Sequence, residues 1–137
     1  MTLKEYLSGD RFAQAAGIRI TTIREGYARA EMPVTPVVLN ASGWVQGGAI
    51  FTLADLAFAC AVNTHDRLTV SVNSNLAFFK SARQGATLYA EAQELINHHR
   101  LPYAQVRITD DAGDLVALFT SSGYRKTNVS IGADGLE

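Results

Sequence analysis

Apolar residues along the chain change their spacing from helical to alternating and back in a definite order. Leu3, Tyr6, Leu7 and Phe12 recur at helical intervals behind Thr2, a residue able to cap a first helix, and Gly17 stands where such a helix would end. Residues 18–24 and 27–34 then read as two strands joined at Glu25-Gly26, a tight-hairpin signal. In the second of them Ala28, Ala30, Met32 and Val34 alternate with Arg29 and Glu31, which predicts one buried face. Pro36 and the run Asn40-Ala41-Ser42-Gly43 mark a loop. Residues 47–63 (GGAIFTLADLAFACAVN) contain no proline and are rich in Leu and Ala, so they read as a helix. Being apolar on nearly every face, that helix is expected at the centre of the domain.

Four strand-like segments follow at residues 69–80, 86–95, 103–110 and 115–126, the last two separated by the turn signal Asp110-Asp111-Ala112-Gly113-Asp114. Residues 128–137, with Ser, Gly and Asp and no aromatic, are expected to fray. The order predicts an α+β fold: a short N-terminal helix, then a six-stranded antiparallel sheet curled around one long helix, in a single domain over residues 1–127. Gly48, Ala49, Ala54, Ala57, Ala59 and Ala61 are small enough to let the sheet approach that helix closely.

Composition narrows the class. A chain of 137 residues is the length of one domain, and 47% hydrophobic with 18% charged residues excludes global disorder. A net charge of −1 argues against an electrostatic nucleic-acid or membrane-surface partner. Cys60, the single cysteine, has no partner for an internal disulfide and fits a reducing compartment. The opening MTLKEYLSGDRF lacks the apolar run of a signal peptide, and the apolar stretch 47–62 is short for a membrane span and interrupted by Asp55. These features predict a cytoplasmic protein.

Asp55 is the chemical anomaly. Its helical neighbours Phe51, Thr52, Phe58 and Ala59 include no base, and an ionised carboxylate in apolar surroundings is costly unless paired, hydrogen-bonded or protonated. It reads either as a reactive group or as a structural carboxylate bonded elsewhere. Gln46-Gly47-Gly48 opens the same helix, and helix N-termini present unsatisfied N–H groups suited to a developing oxyanion; the alternative is that Gly-Gly merely permits a tight turn. Eight residues separate Gly47 from Asp55, about 12 Å along a helix. One carbonyl group would meet both if a second copy of the helix ran antiparallel, as in a two-fold dimer, whereas a monomer with a structural Asp55 is the alternative.

The stretch Asn40-Ala41-Ser42-Gly43-Trp44-Val45-Gln46-Gly47-Gly48-Ala49-Ile50-Phe51-Thr52-Leu53-Ala54-Asp55-Leu56-Ala57-Phe58-Ala59 resembles the signature of hotdog-fold acyl-CoA thioesterases, in particular their phenylacetate-degradation (PaaI-type) branch. Val70-Ser71-Val72, Phe78-Phe79-Lys80 and Val116-Ala117 are similar too, so the likeness runs to about Lys126. The resemblance implies hydrolysis of an acyl-CoA to free acid and CoA by a homodimer or by a tetramer arranged as a dimer of dimers, with no metal or redox cofactor. It implies that the Gly47 N–H, beside Gly48, polarises the thioester carbonyl, that Asp55 acts as general base or nucleophile across a dimer interface, and that Asn40 positions the carbonyl or the water. Ser71, or Asn73 if the strand is offset, matches a residue that orients water, and Lys80 and Arg83 match positions that contact CoA phosphates, or else are solvated strand-end charges.

The resembling family usually carries His before Gly-Gly; here it is Gln46, which donates a hydrogen bond but does not titrate near neutrality. That departure keeps a non-catalytic acyl-CoA-binding protein as the alternative, with a hydratase or dehydratase behind it. Cys60 and His65 lie off one helical face, which argues against a Cys–His pair and for Cys60 as core packing, and His98-His99 are expected to diverge in a turn, which argues against a metal site there. Trp44 and Tyr103 are candidates for an acyl pocket or for core packing.

Overall fold

A computed structural model of the chain describes residues 1–132. Its elements are α1 (Leu3–Ser8), α2 (Arg11–Ala15), β1 (Arg19–Arg24), β2 (Tyr27–Pro33), a 3-10 turn (Pro36–Val38), α3 (Gly47–Val62), β3 (Arg67–Phe78), β4 (Thr87–Ile96), β5 (Tyr103–Thr109) and β6 (Leu115–Ser130). The six strands form one sheet in the order β1-β2-β4-β5-β6-β3, every neighbouring pair antiparallel.

The inner face of the sheet is built for close approach. Ala28 stands opposite Ala92 and Ala30 opposite Ala90, and β5 continues the rows with Val106 and Ile108. All six are fully buried against α3, because side chains two residues apart share a face and alanine leaves room for a helix backbone. Phe119 on β6 anchors the far side, edge-on to Phe58 with ring centroids 6.1 Å apart and to Phe51 at 5.3 Å.

Three expectations change. The first helix is two: Thr2 caps α1 in a reciprocal box with Glu5, and Asp10 starts α2 by accepting the Ala13 N–H. The break falls at Gly9-Asp10, and Gly17, at φ +81°, turns the chain into β1. Secondly, α3 is not covered all round. Gly48, Phe51, Thr52, Asp55 and Ala59 form a stripe at helical spacing that the sheet leaves partly open. Thirdly, the segment expected to fray from residue 128 is strand through Ser130; Ile131 is buried with Leu3 and Ile23, and the Leu3 N–H donates to the Gly132 carbonyl at 2.9 Å. Residues 133–137 of that tail lie outside the described residues. No helix among the described residues is long and apolar enough to cross a membrane.

Candidate active site

The N-terminus of α3 is set by a loop that Asn40 folds. The Asn40 Oδ1 accepts the N–H groups of Ser42 (2.9 Å) and Trp44 (3.0 Å), and Gly43 takes φ +82° to close the turn. Backbone bonds from Val45 to Ala82 and from Gln46 to Val38 seat the loop on its surroundings. Gln46 is the N-cap: its Oε1 accepts the Gly48 N–H, taking the place that a shorter Asn or Ser has at most helix starts. Gly48 therefore does not offer its N–H to a ligand, contrary to its place among the expected reacting groups. The Gly47 N–H has no hydrogen-bond partner among the described residues.

Gly47 has little room for a side chain unless the exposed Phe78 ring gives way. A Cβ there would stand 3.1 Å from the Phe78 ring, which covers the helix start. Asn40, Gly47, Phe78, Phe79 and Lys80 share a cavity of about 470 Å³. Since the Asn40 Oδ1 is engaged, Asn40 has its Nδ2 protons left to present there.

Asp55 lies two turns further along α3, half-buried on the open stripe, in a different cavity of about 360 Å³. The two cavities have no lining residue in common. No lining residue of the Asp55 cavity is basic. Burial pushes the Asp55 carboxyl above its ordinary value, a hydrogen bond from Ser71 acts the other way, and the charge of Asp10 adds to the rise. The Ser71 Oγ is 3.5 Å from the Asp55 Oδ1, at the outer limit of a hydrogen bond.

The strand pairing decides between Ser71 and Asn73. Ser71 stands opposite Gly123 and Asn73 opposite Ser122, with a bulge at Val72. Consecutive partners on β6 take opposite faces, so Ser71 faces α3 while Asn73 is turned away from Asp55. Asn73 thus leaves the set of expected site residues.

Lys80 does not present a free cation. Its Nζ bonds the carboxylates of Asp110 (2.6 Å) and Asp114 (2.7 Å), and these hold it protonated well beyond its ordinary range. Arg83 is different: its guanidinium lies over the Trp44 ring at 4.3 Å and forms no ion pair among the described residues. Trp44 is accordingly a platform for Arg83, and Tyr103 lines neither cavity. Cys60 is fully buried, with its thiol pushed far up by desolvation. His98 and His99 do not diverge; their rings lie 4.3 Å apart, and the His98 Nδ1 accepts the N–H groups of Arg100 and Leu101.

Asp10 and Asn63 were missed in the sequence. Asp10 reaches the Asp55 cavity because α1 and α2 break beside it; the signal was an N-cap residue ahead of Arg11-Phe12-Ala13. Asn63 ends α3 and is 1% exposed, its amide bonded to Ala59 and Thr69. No local pattern distinguishes it.

Comparison with known proteins identifies the family and the fold. The family model described as the thioesterase superfamily matches residues 42–117, the span that carries the end of the Asn40 loop, α3, and the sheet from β3 to the start of β6. The acyl-coenzyme A thioesterase PaaI of Escherichia coli K12 is 34% identical over 116 residues, 85% of this chain and 83% of that protein. The structure of the E. coli PaaI protein from the phenylacetic acid degradation operon superposes with a TM-score of 0.89 over 93% of this chain and 92% of that one. A mutant structure of the phenylacetic acid degradation protein PaaI of Thermus thermophilus, 32% identical, gives a TM-score of 0.82 over 85% of this chain and 100% of its own. The long helix held in a six-stranded antiparallel sheet is the hotdog fold, and the chain belongs to the thioesterase superfamily.

Proposed function

We propose that the protein hydrolyses an acyl-CoA thioester to a free acid and CoA, with Asp55 as the reacting carboxylate and the Gly47 N–H as the oxyanion donor. The observation that carries this reading is a carboxylate on the open stripe of α3 whose cavity holds no basic residue. Such a group is free to accept a proton from water, or to attack the carbonyl itself. As the carbonyl carbon becomes tetrahedral, its oxygen gains negative charge, and an unpartnered N–H at a helix start is suited to receive it. The tetrahedral centre then expels the thiolate of CoA, which takes up the proton held by Asp55; where Asp55 attacks directly, the anhydride so formed is cleaved by water to release the acid and restore the carboxylate. This chemistry asks for no metal or redox group.

Gly47 and Asp55 line separate cavities, so one chain does not assemble both around a single carbonyl. A homodimer with two α3 helices antiparallel would bring the Asp55 of one protomer to the Gly47 of the other, twice over by symmetry. The open stripe from Gly48 to Ala59 supports this, as do the exposed Val72, Phe78 and Phe79 on and beside the edge strand β3. Arg83 on Trp44 is the cation we assign to a CoA phosphate, and Asn40 the side chain that steadies the carbonyl or the water.

Thiol release from short, long and aryl acyl-CoAs tests this, with sedimentation at the assay concentration. Turnover by a dimer or larger assembly, reduced about a hundredfold or more in Asp55→Asn, is the expected result. An active monomer, or an Asp55→Asn variant at the parent rate, overturns it. Tight binding of acyl-CoA without thiol release would make the chain a binding protein.

A further inference from the structure

We propose that Asn63 is a positioning residue for the reaction at Asp55: its buried amide fixes the start of β3 against the end of α3, and so sets Ser71 against the carboxylate. This role rests on the reading of Asp55 given above.

Asn63 uses its amide fully. Nδ2 donates to the Ala59 carbonyl (2.8 Å) and the Thr69 carbonyl (3.0 Å), and Oδ1 accepts the Thr69 N–H (2.8 Å). β3 is an edge strand, paired through Arg125 of β6 on one side. On its other side both backbone groups of Thr69 go to Asn63, which supplies the two bonds a further strand would otherwise make. Thr69 is held by its side chain as well. The Arg125 Nε donates to its Oγ1 at 3.3 Å, and Arg125 is itself fixed by Asn97 and the His98 carbonyl. The Thr69 Cγ2 occupies space that a Cβ at position 123 would enter, at 2.6 Å, so only Gly123 fits there.

Ser71 follows two residues later on the same face, and Thr69 and Ser71 both line the Asp55 cavity. Immediately beyond Ser71 the ladder slips at the Val72 bulge. It slips on the other side too, between Arg67 and Thr69, so Thr69 to Ser71 is a short regular run, and the bracket at Thr69 is the nearest fixed point that sets where the Ser71 Oγ stands relative to Asp55. A buried amide at this position is costly unless every polar atom is bonded, so Asn63 serves this geometry or serves the fold alone.

The titratable groups facing Asp55 are Asp10 from α2 and Tyr6 from α1, while Arg125, Glu94 and His65 lie around the Asn63 end. The test uses the full chain and one acyl-CoA that it turns over, comparing the parent, Ser71→Ala, Asn63→Leu and the double variant for kcat, KM and the acid limb of the pH profile. Asn63→Leu fills the space without the bonds. The expected result is a kcat about tenfold lower with KM near the parent value, since small misplacements of a reacting group cost rate. Its acid limb should move to higher pH, as in Ser71→Ala, because the hydrogen bond that favours the Asp55 carboxylate is weakened in both. The double variant should be little worse than either single one. If Asn63→Leu does not fold, Asn63→Ala, which removes the same three bonds without adding bulk or charge, should show the same changes. An Asn63 variant with the parent kcat and acid limb and only a lower Tm overturns the proposal, and so do effects of Asn63 and Ser71 that multiply. Parental activity of Asp55→Asn would overturn the reading of Asp55 instead, and that outcome is separately visible.

Discussion

Gln46 and Gly48 are joined by a hydrogen bond that leaves Gly47, between them, with the free N–H. The side chain standing where the resembling family has His thus decides how many donors the helix start offers. Gln46→Ala should free the Gly48 N–H and cost about 1 kcal/mol of stability, a typical value for a lost N-cap. Gln46→His should cost less, because an imidazole nitrogen remains as acceptor, and should alter the rate near neutral pH by about tenfold or less, as its group titrates near pH 6.5. Thermal unfolding and rate profiles of the three proteins check this; equal Tm for Gln46→Ala and the parent would mean that the cap does not matter.

Asp55 makes a claim on stability as well as on rate. A carboxyl whose pKa rises on folding binds its proton more tightly in the native state. Its contribution is fully present below the ordinary value of 3.8 and is lost as pH climbs through the raised native value. Asp55→Asn should therefore melt higher than the parent at neutral pH, with the advantage shrinking as the medium is made acidic. Calorimetry across that range measures it. A variant less stable than the parent at pH 7 would show that Asp55 holds the fold together.

Asp10 offers a cleaner adjustment of the same carboxyl. Its charge faces Asp55 and adds to the rise in its pKa, so Asp10→Asn should move the acid limb of kcat/KM to lower pH. Asparagine caps a helix about as well as aspartate, so α2 should persist and Tm should change by no more than about 2 °C. An unmoved limb would mean that solvent screens the pair in the working assembly.

The sheet and the central helix were legible because their signals are local and repeated. Alternation at Ala28, Ala30 and Met32, and an apolar run around Leu53 and Ala57 broken only by Thr52 and Asp55, each point to one element and one buried side. Asp55 was legible for the opposite reason, as a single charge out of keeping with its neighbours. What escaped depends on distant partners. The Val72 bulge, which separates Ser71 from Asn73, belongs to the pairing with β6 and leaves no trace in Val-Ser-Val-Asn. The continuation of β6 to Ser130 comes from packing Ile131 on Leu3 at the other end of the chain. The open stripe on α3 likewise carries apolar residues that a reading of hydrophobicity assigns to the interior.

Lys80 and Arg83 are three residues apart and read alike in sequence, yet they should behave oppositely toward a nucleotide. The carboxylates that engage Lys80 lie 30 and 34 residues further on, in the turn before β6, and cancel its charge where it stands. Recruiting Lys80 to a phosphate would require breaking two charge-assisted bonds to make a similar one. Arg83 gives up no carboxylate, keeps its Trp44 platform, and has several N–H groups left to donate. Arg83→Met should accordingly raise KM for an acyl-CoA about three- to tenfold with kcat nearly unchanged, the signature of binding that is equal in ground and transition states. The same substrate carried on a thiol lacking the nucleotide should be insensitive to Arg83→Met. Lys80→Met should leave KM within about twofold of the parent and instead lower Tm slightly, as befits an exposed ion pair. Steady-state kinetics on the two thioesters with the three proteins decide it, and a larger KM effect from Lys80 than from Arg83 would reverse the assignment.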